Sequence, residues 1–271
     1  MLKKTMIAHL LASSALLLTT SVFAQDSMPA ALKAPVLTQN SMSDTQKTQI
    51  EQVVKNYLVN NPDVVVQSLQ TYQQKQMELA EKSIQKTQET STKYAADLFN
   101  QPNDPTVGNL KGSMAIVEFF DYQCMHCVQM LPVFQNLLKE NSNLKIIYKE
   151  FPIRGPVSEF ASRAALAANK QGKYTVFHDA LMAASQSLTE DSILRIAKEV
   201  GLNVETLKTD MKSSAIDQQI KQTYKLAQSL GLMGTPAMFV GKSVAPVVIA
   251  FIPGQVDQGQ LQGIIDKVSK Q

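Results

Sequence analysis

The sequence predicts an α/β fold in which a sheet-containing domain carries an inserted helical domain and follows an N-terminal helical extension. Three observations predict it. Residues 114–120, Met-Ala-Ile-Val-Glu-Phe-Phe, form an apolar, β-branched and aromatic run of strand length. Directly after it Val128, Leu131, Val133, Phe134, Leu137 and Leu138 recur at largely helical spacing, and a second strand pattern follows at residues 144–150. Strand, helix and strand in that order pair in parallel through a right-handed crossover. Two further strand patterns, at 237–240 and 247–251, return only after some seventy residues of helical pattern.

The chain begins with a targeting segment. Lys3 and Lys4 supply a positive start, residues 6–18 an apolar centre, and Val22-Phe23-Ala24 a small-residue cleavage site, so residues 1–24 are expected to be removed after Ala24 on export to the periplasm. An uncleaved membrane anchor is the alternative. His9, Ser13, Ser14, Thr19 and Thr20 interrupt a stretch barely long enough to span, which weighs against it. Residues 25–42 are polar and proline-containing and are expected to be a mobile arm.

Residues 43–99 predict a helical oligomerisation region. Ser43-Asp44-Thr45-Gln46 has the form of a capping box, and Ile50, Val53, Val54, Tyr57 and Leu58 share one helix face. Asn60-Asn61-Pro62-Asp63 interrupts the pattern. A second helix is expected over 63–96, with Val65, Leu69, Tyr72, Met77, Ala80 and Ile84 as an intermittent apolar stripe on an otherwise polar surface. So narrow a stripe on so long a helix calls for packing against another copy or against the first helix. A solvated spacer helix is the alternative. Residues 100–110 read as a linker, by their Asn, Pro and Gly content.

The sheet domain is expected over 111–271. After the strand at 144–150, Phe151-Pro152 ends the unit, and 157–231 reads as the helical insertion. Stripes at Phe160, Ala164, Leu166 and Ala167, then Tyr174, Val176, Phe177, Ala180 and Leu181, are separated by Gly172. Thr189 caps a helix carrying Ile193, Leu194, Ile196 and Ala197, which Gly201 stops. Helices over 204–212, 215–230 and 259–268 complete the pattern.

The chemistry gathers at Phe119-Phe120-Asp121-Tyr122-Gln123-Cys124-Met125-His126-Cys127, because Cys124 and Cys127 are the only cysteines in the chain. The strand-to-helix junction puts Cys124 at a helix start, where unpaired N–H groups and the positive end of the dipole favour an anion such as a thiolate. Cys124 is therefore expected to be the exposed nucleophile and Cys127, one turn on, the resolving thiol. A disulfide enclosing two residues constrains the unfolded chain little, so it is a poor structural staple. His126 between the cysteines is expected to favour the thiolate. Glu118, the one charge in an apolar strand, is expected to relay the proton of Cys127, with Lys149 on the next strand as a partner. Met125 is placed to meet apolar substrate groups, or to fill the turn. Gly234-Thr235-Pro236 sets a proline at the mouth of a later strand, where a cis bond, if formed, would present the Thr235 backbone beside the cysteines.

Together these features resemble the thioredoxin superfamily, specifically its DsbA-like exported thiol:disulfide oxidoreductases. Glu118 stands six positions before the first cysteine, Pro132 eight after it, and Thr235-Pro236 far downstream. Met125 departs from the proline common at its place. The resemblance implies a thioredoxin-like fold with the helical insertion inside it. It also implies dithiol:disulfide exchange on protein substrates, no cofactor, and a membrane redox partner that recycles the pair. Residues 43–96 resemble the extension of the larger, oligomeric DsbA-like proteins of the Com1-like group, and Thr235 resembles the isomerase side of the superfamily. The expectation is a homo-oligomer, a homodimer favoured, with oxidase and some isomerase activity. Removing residues 25–97 is expected to leave a monomer that oxidises but no longer isomerises.

Other classes remain in view. Two thiolates supply half of a tetrahedral zinc or copper set, but there is no second Cys-x-x-Cys and no His-x-His, and His178 lies in an apolar helix as an ordinary helix-face histidine. A holdase with an incidental cysteine pair, or a dedicated reductase, would keep the same fold. The net charge of +3 is spread along the chain and gives no argument for nucleic acid.

Overall fold

The computed structural model describes residues 42–242 and 248–271. The expected leader, its cleavage after Ala24, and the expected arm apart from Met42 lie outside these residues. The chain divides into two units at Val64.

The described part of the first unit is helix α1 (Asp44–Asn60) and the first turn of α2 (Pro62–Ser91). The capping box at its start forms: Gln46 N–H donates to Ser43 Oγ at 3.3 Å and Ser43 N–H to Gln46 Oε1 at 2.9 Å. Asn61 ends α1, its side-chain amide donating to Tyr57 O at 2.8 Å. Proline then starts α2, where a missing N–H costs nothing.

The second unit holds the rest of α2, a 3₁₀ turn at Thr92–Tyr94, helix α3 (Ala95–Phe99) and a five-stranded sheet. The strands are β1 (Thr106–Gly108), β2 (Met114–Phe120), β3 (Leu144–Glu150), β4 (Ala237–Lys242) and β5 (Ile249–Pro253), in the order β1-β3-β2-β4-β5. As predicted, β2 and β3 run parallel, joined by α4 (Met125–Glu140), while β1, β4 and β5 pair antiparallel. Between β3 and β4 lie helices α5 (Pro156–Lys170), α6 (Tyr174–Ala183), α7 (Glu190–Glu199), α8 (Val204–Met211) and α9 (Ser214–Ser229); α10 (Gln258–Ser269) closes the chain.

The alternation of side chains along the strands sorts the core into two layers. Ile116, Phe120, Ile146, Tyr148, Met238 and Val240 join α4, α10 and the inserted helices. Val117, Phe119, Ile147 and Phe239 face the other way, against Leu98, Phe99, Leu226 and Leu230.

Two expectations change here. Thr106–Gly108, expected within a linker, is an edge strand whose three residues pair with Ile147, Ile146 and Lys145; a three-residue strand is too short to leave a periodic signal. The second helix was expected to run to residue 96, but it breaks at Ser91 into the 3₁₀ turn and α3. That break turns Leu98 (0% exposed) and Phe99 (5% exposed) into the second core layer. Phe99 packs where Gly241 leaves room: a Cβ on Gly241 would stand 2.6 Å from Phe99 Cζ. Phe99→Ala should therefore open a core cavity costing about 3–5 kcal/mol, read as a lower urea midpoint at unchanged slope.

Candidate active site

The site is built on the turn between β2 and α4. Asp121 is fully buried and anchors the turn through both carboxylate oxygens. Oδ1 accepts from Gln123 N–H at 2.7 Å and from Ser158 Oγ at 2.7 Å, and Oδ2 accepts from Arg154 N–H at 2.9 Å. Cys124 N–H donates to Asp121 O at 3.0 Å, and Cys124 then caps α4 with extended backbone, φ −90° and ψ 109°. Its carbonyl accepts from Cys127 N–H and Val128 N–H at 3.0 and 3.1 Å. Opposite, the Thr235–Pro236 bond is cis, and the Cys124 thiol donates to Thr235 O at 3.2 Å.

Both cysteines are free, so the structure holds the dithiol form. Cys124 is 0% exposed, against the expectation of an exposed nucleophile, and the Thr235 carbonyl lies over its sulfur. Its thiol is nevertheless lowered to about 5. The hydrogen bond from the Cys127 thiol contributes most, burial opposes it, and Thr235, the Cys127 backbone N–H and the Arg154 charge add to the lowering. Thr235 Oγ1 is buried without a hydrogen-bond partner. When Cys124 gives up its proton, that hydroxyl is free to turn and donate to the thiolate.

Cys127 moves the other way. Burial raises it far above the usual thiol range, helped by the hydrogen bond it gives to Cys124 and by the nearby Glu118 charge. Glu118 is 1% exposed with Oε1 lacking a partner, and burial, then the charges of Cys124 and Glu150, hold it well above the usual carboxylate range. An acid held neutral beside a thiol is fitted to exchange a proton with it.

Other expected neighbours fall elsewhere. Lys149 does not pair with Glu118. In the parallel register Glu118 lies opposite Tyr148, which sends Lys149 to the other sheet face. There it forms a buried salt bridge with Asp104 and donates to Asp97 O. His126 is exposed on the outer face of α4, its Nδ1 2.9 Å from Gln255 Oε1, so the expected imidazole at the Cys124 sulfur is not what the ring is engaged in. The cationic charge that bears on Cys124 comes from Arg154, which the sequence reading missed. Its signal was available: β3 runs parallel to β2, so the loop after β3 must emerge beside the loop carrying the cysteines. His178 is 1% exposed rather than a helix-face residue, and burial keeps it neutral, lowered to about 3.

Met125 is 44% exposed at the rim. A groove of about 410 Å³ runs along Thr235-Pro236, lined among others by Ala80, Ile84, Leu232, Met233 and Phe251. No three His, Cys, Asp or Glu side chains group as a metal site among the described residues.

Comparison with known proteins follows the same lines. Residues 115–266 match the DSBA-like thioredoxin domain, a match that spans more than half the chain and takes in Glu118, both cysteines, Arg154 and Thr235-Pro236. The chain belongs to the DSBA-like thioredoxin family. A shorter match, residues 46–78, is to the copper resistance protein ScsC N-terminal domain, and falls on α1 and α2. Among solved structures, a thioredoxin-like oxidoreductase from Silicibacter pomeroyi is 44% identical, covering 65% of this chain and 98% of that one at a TM-score of 0.59. BcfH of Salmonella enterica Typhimurium is 32% identical over 83% of this DsbA-like chain and 96% of its own, at a TM-score of 0.64. A curated relative, the sodium/proton antiporter NhaA 3 of Salinispora tropica, is 27% identical over 145 residues, which make up 51% of this chain but 22% of the antiporter.

Proposed function

We propose that this DsbA-like protein exchanges dithiols and disulfides with other proteins, with Cys124 as the attacking sulfur and Cys127 as the resolving one. One observation carries the reading: two thiols a helical turn apart are driven to opposite ionisation, Cys124 towards thiolate and Cys127 towards thiol. A pair so divided contains a nucleophile and a proton-bearing partner, as exchange requires.

In the oxidising direction a substrate thiolate attacks Cys124 Sγ of the Cys124–Cys127 disulfide, and Cys127 leaves and takes up a proton. A second substrate thiolate then attacks the substrate sulfur of the mixed disulfide and expels Cys124 as a stabilised thiolate. The substrate has lost two electrons and the cysteine pair has gained them. A membrane redox partner removes them again. In the reverse direction the Cys124 thiolate attacks a wrong substrate disulfide, and Cys127, losing its proton to Glu118 in its carboxylate form, supplies the escape. The substrate must displace the Thr235 carbonyl from the covered Cys124 sulfur; Thr235-Pro236 then holds it by backbone hydrogen bonds, with Met125 and the adjoining groove receiving its apolar side chains. Added as its disulfide to reduced, unfolded ribonuclease, the protein should oxidise it at once; disulfide formation no faster than in air would refute the reading.

The N-terminal helices support self-association. No residue of α1 is buried, and Val53 (68%), Tyr57 (56%), Leu69 (56%) and Tyr72 (62%) are left exposed. Apolar faces of that size stay uncovered only at a cost. The protein is therefore an exported homo-oligomer joined through these faces, which gives it isomerase as well as oxidase capacity. Cutting at residue 97 would not test this cleanly, because Thr87 and Ser91 are buried and Leu98 and Phe99 follow at once in the core. Val53→Glu combined with Leu69→Glu is the better probe. Light scattering should show the mass fall to one chain, with scrambled ribonuclease no longer repaired and oxidation of reduced ribonuclease kept. An unchanged mass would rule out this interface.

A further inference from the structure

Glu150 ends β3 at 2% exposure, yet nothing in the exchange chemistry above uses it. Its Oε1 accepts from Tyr174 Oη at 2.8 Å and from Tyr122 Oη at 3.2 Å. Tyr122 Oη also meets His178 Nδ1 at 3.0 Å. Neither Glu150 Oε2 nor the neighbouring Ser162 Oγ completes a hydrogen bond. Tyr122 stands two residues before Cys124 in the turn, where its carbonyl accepts from Ser185 Oγ at 2.6 Å. Glu150 lies opposite Phe120 and Tyr148 opposite Glu118 in the parallel register, so the two carboxyls point to the same side of the sheet.

We propose that Glu150 is a positioning residue for the cysteine pair. Its buried carboxyl, bound through Tyr122 to the turn that ends in Cys124 and on the same sheet face as Glu118, acts on Glu118 through its charge and so governs how readily Cys127 resolves a mixed disulfide. The inference rests on the exchange reading above and adds a second buried carboxyl to it.

The hydrogen bonds give a way for the charge to be felt. With Glu150 ionised, Tyr122 donates to it, and neutral His178 must turn its Nδ1–H towards the tyrosine oxygen. With Glu150 protonated, its own O–H donates to Tyr122, and the tyrosine is free to donate to His178 Nδ1. One proton thus reverses the direction of the Glu150–Tyr122–His178 chain. The groups facing Glu150 are Tyr122 and Asp121 from the turn, Glu118 from β2, Tyr148 from its own strand, and Tyr174 and His178 from α6. Burial pushes Glu150 up to about 8, the nearby Ser162 hydroxyl and the Tyr174 and Tyr122 hydrogen bonds restrain it, and the Asp121 charge raises it further. The Glu150 charge in turn raises Glu118, and Glu118 acts on Cys127.

In resolution, Cys127 loses its proton to Glu118 carboxylate, its sulfur attacks Cys124 Sγ, and the bond to the departing thiol breaks to give a thiolate. An anion at Glu150 makes Glu118 hold its proton more tightly and opposes ionisation of Cys127. Above the Glu150 midpoint the wild-type rate should therefore level off.

The test uses the full chain, loaded at Cys124 with thionitrobenzoate, and follows release of the coloured thiol from pH 6 to 9.5. Wild type and Glu150→Gln should release at the same rate at pH 6, where both side chains are neutral. Near pH 9 the variant should be faster, by about threefold to tenfold, since one unit of coupling is tenfold. Curves that remain parallel across the range would overturn the proposal, whether the variant is equal or uniformly slower, as a purely structural role predicts. If the variant does not fold, ¹³C titration of the glutamate carboxyls in wild type decides. A buried carboxyl with a midpoint well above the ordinary range supports the coupling, and titration of every glutamate near 4.3 refutes it. No thiol release by wild type at any pH would instead refute the exchange reading while leaving the carboxyl titration to judge Glu150.

Discussion

Cys124→Ala is expected to reduce exchange to the uncatalysed background, and Cys127→Ala to stop it half-way, with substrate held as a mixed disulfide on Cys124. The two effects differ because, on the proposed mechanism, only the Cys124 sulfur attacks substrate, while Cys127 attacks Cys124. Cys124, lowered to about 5, is almost wholly thiolate at neutral pH; Cys127, raised by burial, stays a thiol until a base takes its proton. Removing the first removes the nucleophile and the good leaving group together; removing the second removes the route out. Non-reducing gels of the Cys127→Ala protein incubated with a disulfide-bonded substrate should show the trapped adduct. A Cys124→Ala protein of undiminished activity would leave only a holdase reading.

The same ionisation acts on stability. The folded value of Cys124 lies below its unfolded one, so its stabilisation is complete above the unfolded value near 9.0, shrinks as pH falls, and is gone below about 5. At pH 7 the reduced protein should gain about 1–2 kcal/mol over Cys124→Ala, allowing for solvent screening. That gain belongs to the dithiol alone, so it drives the disulfide form towards reduction, as the proposed oxidation of substrates requires.

Glu118→Gln should slow resolution by Cys127 about tenfold and at the same time stabilise the protein. The carboxyl is 1% exposed with an oxygen lacking any partner. Its folded value is raised, so folding is penalised as pH rises above the ordinary carboxylate value of 4.5. An amide of the same shape carries no such penalty but takes no proton. Stopped-flow release from a Cys124 mixed disulfide, alongside urea unfolding at pH 5 and pH 8, reads both effects. The stability difference should be larger at pH 8. A faster or unchanged resolution rate would remove Glu118 from the proton path.

What was legible in the sequence was what periodicity and fixed spacing carry. Strand, Cys-x-x-Cys, helix and the distant Thr235-Pro236 could be read because each has a local pattern, and the structure brings Cys124 and Thr235 within 3.2 Å. Three things could not be read so directly. Thr106–Gly108 has too few residues to show a period, and only the exposed edge of β3 makes it a strand. The partner of Lys149 depends on register: a strand side chain alternates faces, and adjacency of strands says nothing about which face. The rank of the forces on Cys124 depends on atoms several elements apart. The sequence pointed to the helix start and to His126, whereas the Cys127 thiol dominates and Arg154, from the loop after β3, supplies the cation. The stripe on α1 and α2 was visible as apolar spacing, and the structure leaves it exposed.

The most direct test of the account is titration of the Cys124 thiolate by its ultraviolet absorbance in the reduced protein, with Cys124→Ala as the blank. A single transition near pH 5 is expected. A midpoint near 8.5, that of a free cysteine, would contradict it.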